Sequence, residues 1–158
     1  MKSLVGALLW CIFLLLTLLT VIKEERRRLL EYRGLCRLVS HVHASLCTAP
    51  RPLCLVYASF RDDALARTGF LSLLSEKGLA AALDADVLHL DGEATRPFRT
   101  YAEGLGKRLY AEEIQAASEL STTVLLTLKE KEAAAPRKEK LTGTLFLSGG
   151  MLILLLLL

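Results

Sequence analysis

The residues with most chemistry to offer in this 158-residue chain are its three histidines and four cysteines. His41 and His43 lie two apart in a segment of helical spacing, about 200° around the axis, so one helix face cannot present both to a metal. Cys36, Cys47 and Cys54 lack the paired C-x-x-C spacing of a zinc site. Each cysteine reads as a small buried hydrophobe, and the histidines as part of a polar face. We expect no metal and no cofactor.

Gly104-Leu105-Gly106-Lys107 resembles a piece of a phosphate-binding loop. A working P-loop needs G-x-x-x-x-G-K-[ST] between a strand and a helix, and Lys107 is followed by Arg108. The two glycines fall late in a helix, where they permit a close turn or close packing. No Cys/His or Ser/His set has a recognisable signature. Asp84 and Asp86 do not share a helix face, and Asp62-Asp63 reads as a helix cap. The expectation is a protein that is not an enzyme, with no catalytic residues and no small-molecule substrate.

The elements around these residues are set by two apolar runs. Leu4 to Ile22 and Leu141 to Leu158 hold 19 and 18 residues without a charge. At about 1.5 Å per residue each spans roughly 27–29 Å, close to the ~30 Å hydrocarbon core of a bilayer. We therefore expect an N-terminal transmembrane helix at 1–22, a cytoplasmic helical domain at 23–140 and a C-terminal transmembrane helix at 141–158. A secretory reading, with a cleaved leader and a lipid-anchor signal, is disfavoured: Lys23-Glu24-Glu25-Arg26-Arg27-Arg28 offers no small-x-small cleavage site and resists translocation. Basic residues flank both runs on the side of the middle: Lys23, Arg26, Arg27, Arg28, Arg33 and Arg37 after the first, and Lys129, Lys131, Arg137, Lys138 and Lys140 before the second. Both sets place 23–140 in the cytoplasm with both termini outside. There the cysteines meet a reducing compartment, where structural disulfides are rare. The middle carries 19 basic against 17 acidic residues, a balance that argues against nucleic-acid binding.

The middle shows helical periodicity throughout and little alternation, which predicts an all-α fold: a membrane-anchored antiparallel helical bundle with one transmembrane helix at each terminus. Leu35, Leu38, Val39, Val42 and Leu46 make one apolar stripe on a first helix ended by Pro50 and Pro52. A short apolar segment, Leu53 to Phe60, follows. Asp62 or Asp63 then caps a helix carrying Leu65, Phe70, Leu71, Leu73 and Leu74 that ends at Gly78. Leu79 to Leu90 reads as helix up to the Asp91-Gly92 turn. Thr95 is the expected N-cap of the next helix, with Pro97 in its first turn and Phe98, Tyr101, Leu105 and Leu109 buried. A last helix starts near Ala111, seamed by Ile114, Ala117, Ser121, Val124 and Leu128. Pro136 is expected to bend or interrupt the passage into the second apolar run.

This layout resembles the stage III sporulation protein AB family of endospore-forming Firmicutes over nearly the whole chain. Met1-Lys2 with Leu4-Val5-Gly6-Ala7-Leu8-Leu9 is similar to the family's N-terminal membrane helix. Arg27-Arg28-Leu29-Leu30 and Leu35 to Leu46 resemble its first cytoplasmic helix, and Pro50 and Pro52-Leu53 its proline-leucine step. Gly106-Lys107-Arg108-Leu109 resembles a Leu-Gly-Lys-x-Leu-Gly motif, and Gln115 the glutamine that follows it. Lys138 to Leu158 fits the basic stretch and terminal apolar helix. The second glycine of the motif is replaced by Tyr110, and the Ser/Thr-Asp pair after it is missing.

The resemblance implies a subunit of the channel between mother cell and forespore, similar to part of the F-type platform protein of type II secretion. It implies residence in the mother-cell membrane facing the forespore. Its partners would be a secretion-type ATPase of the same complex and other stage III channel subunits. The implied partner-binding residues are Gly106, Lys107, Leu109 and Gln115. Gly106 and Lys107 either contact a partner or only close a helical turn, and the turn is the favoured reading. A different class is a small pore-forming, holin-like protein or another two-helix membrane protein, though a holin rarely needs so large a middle.

Overall fold

The computed structural model describes residues 2–157, with side chains described at all of them except 2–5, 7, 8, 11 and 152–157. Every regular element among the described residues is a helix: α1 Lys2–Thr48, α2 Leu53–Ser59, α3 Asp63–Arg67, α4 Phe70–Asp84, α5 Gly92–Gly104 and α6 Tyr110–Leu157. The chain is all-α. It divides into two compact units: unit 1 is Met1–Arg26 with Lys131–Leu158, and unit 2 is Arg27–Glu130.

In unit 2 the expected stripe of α1 is the centre of the core. Leu35, Leu38, Val39, Val42 and Leu46 are all buried, joined by Tyr32 and Cys36. From α6 come Ala117, Leu120, Val124 and Leu128, three and four residues apart, which is one face of a helix. Ile114 packs at the edge of this core, and Ser121 is half-buried beside Ser40 with their hydroxyl oxygens 3.4 Å apart. The two helices run antiparallel. Cys36 Sγ donates to the Val124 carbonyl at 3.6 Å, and the Tyr110 hydroxyl donates to the Leu46 carbonyl, so ascending α1 descends α6. Phe70, Leu74, Leu79 and Leu83 of α4 and Phe98 and Tyr101 of α5 complete the core, with Phe98 edge-on to Tyr32 at 5.8 Å.

Local chemistry explains most of the breaks. Pro50 and Pro52 flank the turn after α1, and Asp62 caps α3 by accepting from Ala64 N–H at 3.0 Å and Leu65 N–H at 3.2 Å. Four sequence expectations need correction. The helix read from Leu65 to Gly78 is two helices, because Gly69 adopts φ +78 and turns the chain between them. Gly78 does not end α4: it takes φ +82 and ψ 177, a local break, and helix resumes to Asp84, so Val87 to Leu90 is not helical. Thr95 is not the N-cap of α5, which starts at Gly92; Thr95 is buried inside the helix and its hydroxyl donates back to Gly92 O at 3.1 Å. Pro136 does not interrupt α6, which runs unbroken through it. Its missing donor removes one ladder bond, and Ala133, Ala134 and Ala135 are the strongest helix formers to offset that loss.

Glu31 is the most deeply buried charged side chain described, 1% exposed. It accepts from Arg27 Nε at 3.2 Å and from the His89 backbone N–H at 2.7 Å, and its Oε1 lies 3.1 Å from His89 Nδ1. These partners tie the loop after α4 to the middle of α1.

Unit 1 is a pair of helix segments that also run antiparallel. Arg26 Nε lies 2.9 Å from Glu139 Oε1, and twelve residues back along α1 Leu14 packs directly on Gly150, eleven residues on along α6. Beside this contact is an apolar groove of about 370 Å³, lined by Leu14, Leu15, Leu18, Phe146, Leu147, Gly150 and Met151. Among the described residues no helix is long and apolar enough to cross a membrane. The expected transmembrane helices at 1–22 and 141–158 lie in part on side chains outside those described.

One glycine of α1 is dictated by packing. A Cβ at Gly34 would fall 2.8 Å from Leu65 Cγ and 3.0 Å from Asp62 Oδ1, both held in place by burial and by the α3 cap. Gly34→Ala is expected to destabilise the fold by about 1–3 kcal/mol through overpacking. Gly92→Ala, where nothing lies within 4 Å, serves as the contrast and should change stability by no more than about 1 kcal/mol. Urea unfolding of the two variants, followed by helical circular dichroism, checks the difference.

Candidate docking site at the α5–α6 turn

The turn between α5 and α6 is built by two glycines with different roles. Gly106 takes φ +76, a left-handed conformation that glycine adopts without strain, and Lys107 N–H donates to Gly104 O at 3.2 Å across the turn. At Gly104 the guanidinium of Arg108 folds back over the backbone, in the space a Cβ would take unless that arginine swung aside. The helix that follows is held by half of a capping box, in which Glu112 accepts from Leu109 N–H at 3.1 Å.

Under the turn lies a polar cluster that joins three helices. Arg108 stands 5.9 Å from the Tyr101 ring centroid and its Nη1 is 3.9 Å from Glu113 Oε1. Both Glu113 oxygens and the hydroxyls of Tyr57 and Tyr101 are buried there without a hydrogen bond of normal geometry among the described residues. Burial, reinforced by the Glu113 carboxylate, pushes the Tyr57 phenol up to about 12. Burial comes first for Tyr101 as well, followed by a hydrogen-bonding contact with the Glu113 carboxylate and then its charge, and together they raise it further. Burial also raises Tyr32, helped by Cys36. The phenols of the cluster are therefore neutral at ordinary pH, able to donate but not to act as bases.

The surface above this cluster carries the residues picked out in the sequence. Gly106 and Lys107 are exposed in the turn, Leu109 is 73% exposed beside it, and Gln115 is exposed on α6, where it donates to Glu119 at 2.9 Å. The first three share one turn, and Gln115 lies six residues beyond Leu109. The reading of Leu109 as a buried residue of α5 was wrong: α5 stops at Gly104 and leaves it at the surface. The grouping of Tyr57 with Tyr101, Arg108 and Glu113 escaped sequence reasoning, because Tyr57 comes from a distant helix and Glu113 reads equally well as a partner of the α6 dipole.

The remaining candidates form no reactive set. His41 Nε2 lies 3.1 Å from Ser59 Oγ, but Ser59 donates its proton to Val56 O at 2.8 Å. The imidazole therefore donates to the hydroxyl, the reverse of what an activated nucleophile needs. His43 Nε2 lies 3.5 Å from Cys47 Sγ, and the expectation of buried cysteines holds for Cys36 but not for Cys47 and Cys54, which are exposed. No group of three or more metal-ligating side chains occurs among them.

Two outcomes follow for the cluster. Raised folded-state values mean that the phenols support the fold fully below about pH 10, where unfolded tyrosine starts to ionise, and that this support is lost as pH rises through the folded values. A Tyr57→Phe/Tyr101→Phe variant should accordingly unfold at higher alkaline pH than the parent, with phenolate absorbance and circular dichroism recorded together. Separately, Arg108→Met leaves the Glu113 carboxylate buried without its cation and should cost about 1–3 kcal/mol, most of it recovered by adding Glu113→Gln. A urea-unfolding double-mutant cycle measures this recovery. No known protein family, curated protein or solved structure matches the chain.

Proposed function

We propose that the chain is a non-enzymatic membrane platform subunit, anchored by its two apolar runs, whose unit 2 docks a cytoplasmic partner. The observation that carries the proposal is the antiparallel register of unit 1, from Arg26 against Glu139 to Leu14 against Gly150. It lays the two uncharged runs side by side and brings their basic flanks to one end. A hairpin anchor with both termini on one face of a bilayer has this form, and the basic residues put unit 2 on the cytoplasmic face. The runs of 19 and 18 uncharged residues supply the length.

The partner is the secretion-type ATPase of a stage III sporulation complex, and the assembly is the channel between mother cell and forespore, as the resemblance implies. The exposed turn with Gly106, Lys107 and Leu109, together with Gln115, supports a docking role. Leu109 and the half-exposed Tyr110 put apolar surface beside the Lys107 cation, the mixture found in transient interfaces.

Two measurements test this reading. The chain should stay with membranes after alkaline carbonate extraction. Cys47 and Cys54, both exposed in unit 2, should react with an impermeant maleimide only after the cells are opened. Extraction into the soluble fraction, or labelling in intact cells, would refute the anchoring and the orientation respectively. The ATPase should co-purify with the full chain from detergent, and Leu109→Asp should weaken its retention about tenfold or more, the loss typical of an interface anchor.

A further inference from the structure

We infer that unit 1 holds one anionic phospholipid from the cytoplasmic leaflet, its acyl chain in the apolar groove and its phosphate on Arg137 and Lys140. The inference rests on the membrane anchoring proposed above and adds a ligand to it. The groove is wholly apolar in its lining side chains, from Leu14, Leu15 and Leu18 on one segment to Phe146, Leu147 and Met151 on the other. Its volume of about 370 Å³ is within the range of small-ligand sites. A polar ligand has nothing to bond there.

Depth places the groove in one leaflet. Leu18 and Leu14 lie four and eight residues inside Ile22, about 6 and 12 Å along the helix. Phe146 and Met151 lie five and ten residues inside Leu141, about 7.5 and 15 Å. The groove therefore ends near the middle of a ~30 Å hydrocarbon core, the reach of the acyl chains of one leaflet.

Charge selects the lipid. Lys140 is seven residues before Leu147, two turns up and only about 20° around the axis, so it stands above the groove on the same face. Arg137 is one turn further along, neighbouring Lys140 at i, i+3. Both side chains are exposed. Arg26 and Glu139 bond to each other at 2.9 Å, which leaves Arg137, Lys138 and Lys140 as the cationic part of 137–140. Basic side chains between membrane helices at the cytoplasmic face are general recognition elements for anionic headgroups.

The full chain incorporated in nanodiscs of equimolar phosphatidylglycerol and phosphatidylcholine, then released for mass spectrometry of the lipid it retains, tests the inference. We expect phosphatidylglycerol to be retained over phosphatidylcholine by about fivefold or more, given the strength of a single basic side chain at an anionic surface. Arg137→Gln/Lys140→Gln should bring the ratio to that of the disc, while Arg51→Gln/Arg67→Gln, which removes the same charge from unit 2, should leave it high. Retention at the disc's own ratio in the parent, or an equal loss in both double variants, would overturn the site. So would a lipid-free dimer cross-linked through Leu147→Cys, which would give the groove to a second copy. A chain recovered outside the discs would instead refute the anchoring itself.

Discussion

Small atoms line the seam between α1 and α6: Cys36 Sγ against the Val124 carbonyl at 3.6 Å, Ser40 beside Ser121, and Ala117 with no exposed surface. Side chains of this size let two helices approach closely, and close approach is what buries Leu35, Leu38, Val42, Val124 and Leu128 on both sides of the seam. The rest of unit 2 follows from that pairing. Once the two helices are antiparallel, the chain between Thr48 and Tyr110 must leave one end of the pair and return to it, and α2 to α5 are the route. The Leu46 carbonyl in the last turn of α1, which lacks an intrahelical donor, is met by the hydroxyl of Tyr110 at the start of α6.

Two buried carboxylates show how differently this fold treats charge. Glu31 has a cation and a backbone N–H directed at it, with an imidazole nitrogen 3.1 Å away. Its burial is compensated, and it fixes the loop after α4, where Asp86 takes a positive φ of 50° to bring the chain round. Glu113, 7% exposed, has neither oxygen in a normal hydrogen bond, and its nearest cation is 3.9 Å away. Its compensation is looser than that of Glu31, a hydrogen-bonding contact with Tyr101 and a cation at the limit of an ion pair. Glu113 lies one turn beyond Leu109, its backbone N–H donating to the Leu109 carbonyl at 2.9 Å.

Much of the architecture could be read from residue order alone. The stripe of α1, the Asp62 cap, the prolines after α1 and the all-helical class rest on periodicity and capping, which act within a few residues. The misreadings share a cause. Gly69 and Gly78 are identical in type and both adopt positive φ, yet one separates two helices and the other only breaks the geometry within one. Local preference cannot distinguish them, because packing of Phe70 and Leu74 on one side and Leu79 and Leu83 on the other decides where helix resumes. Pro136 is the same case in reverse: an intrinsic breaker within a helix of 48 residues. The candidate site was legible only on its surface. Gly106, Lys107, Leu109 and Gln115 stand close in sequence, whereas Tyr57 joins Tyr101 and Glu113 through tertiary packing that no spacing announces.

The Arg26–Glu139 pair has a role that its energy does not explain. Both side chains are open to solvent, where an ion pair contributes little to stability. The hydrogen bond between them nonetheless raises the arginine and lowers the glutamate, so both remain charged over the ordinary pH range. What the pair supplies is register. Apolar helices slide past one another at small cost, because leucine against leucine is much the same one turn on. A slip of one turn, about 5.4 Å, would part Arg26 from Glu139 and move Leu14 off Gly150, replacing a close approach with a clash against Phe146 or an unfilled space. A charged pair at one end and a glycine at mid-length together select one register from many near-equal ones. That selection, more than any gain in stability, gives unit 1 a groove of definite shape.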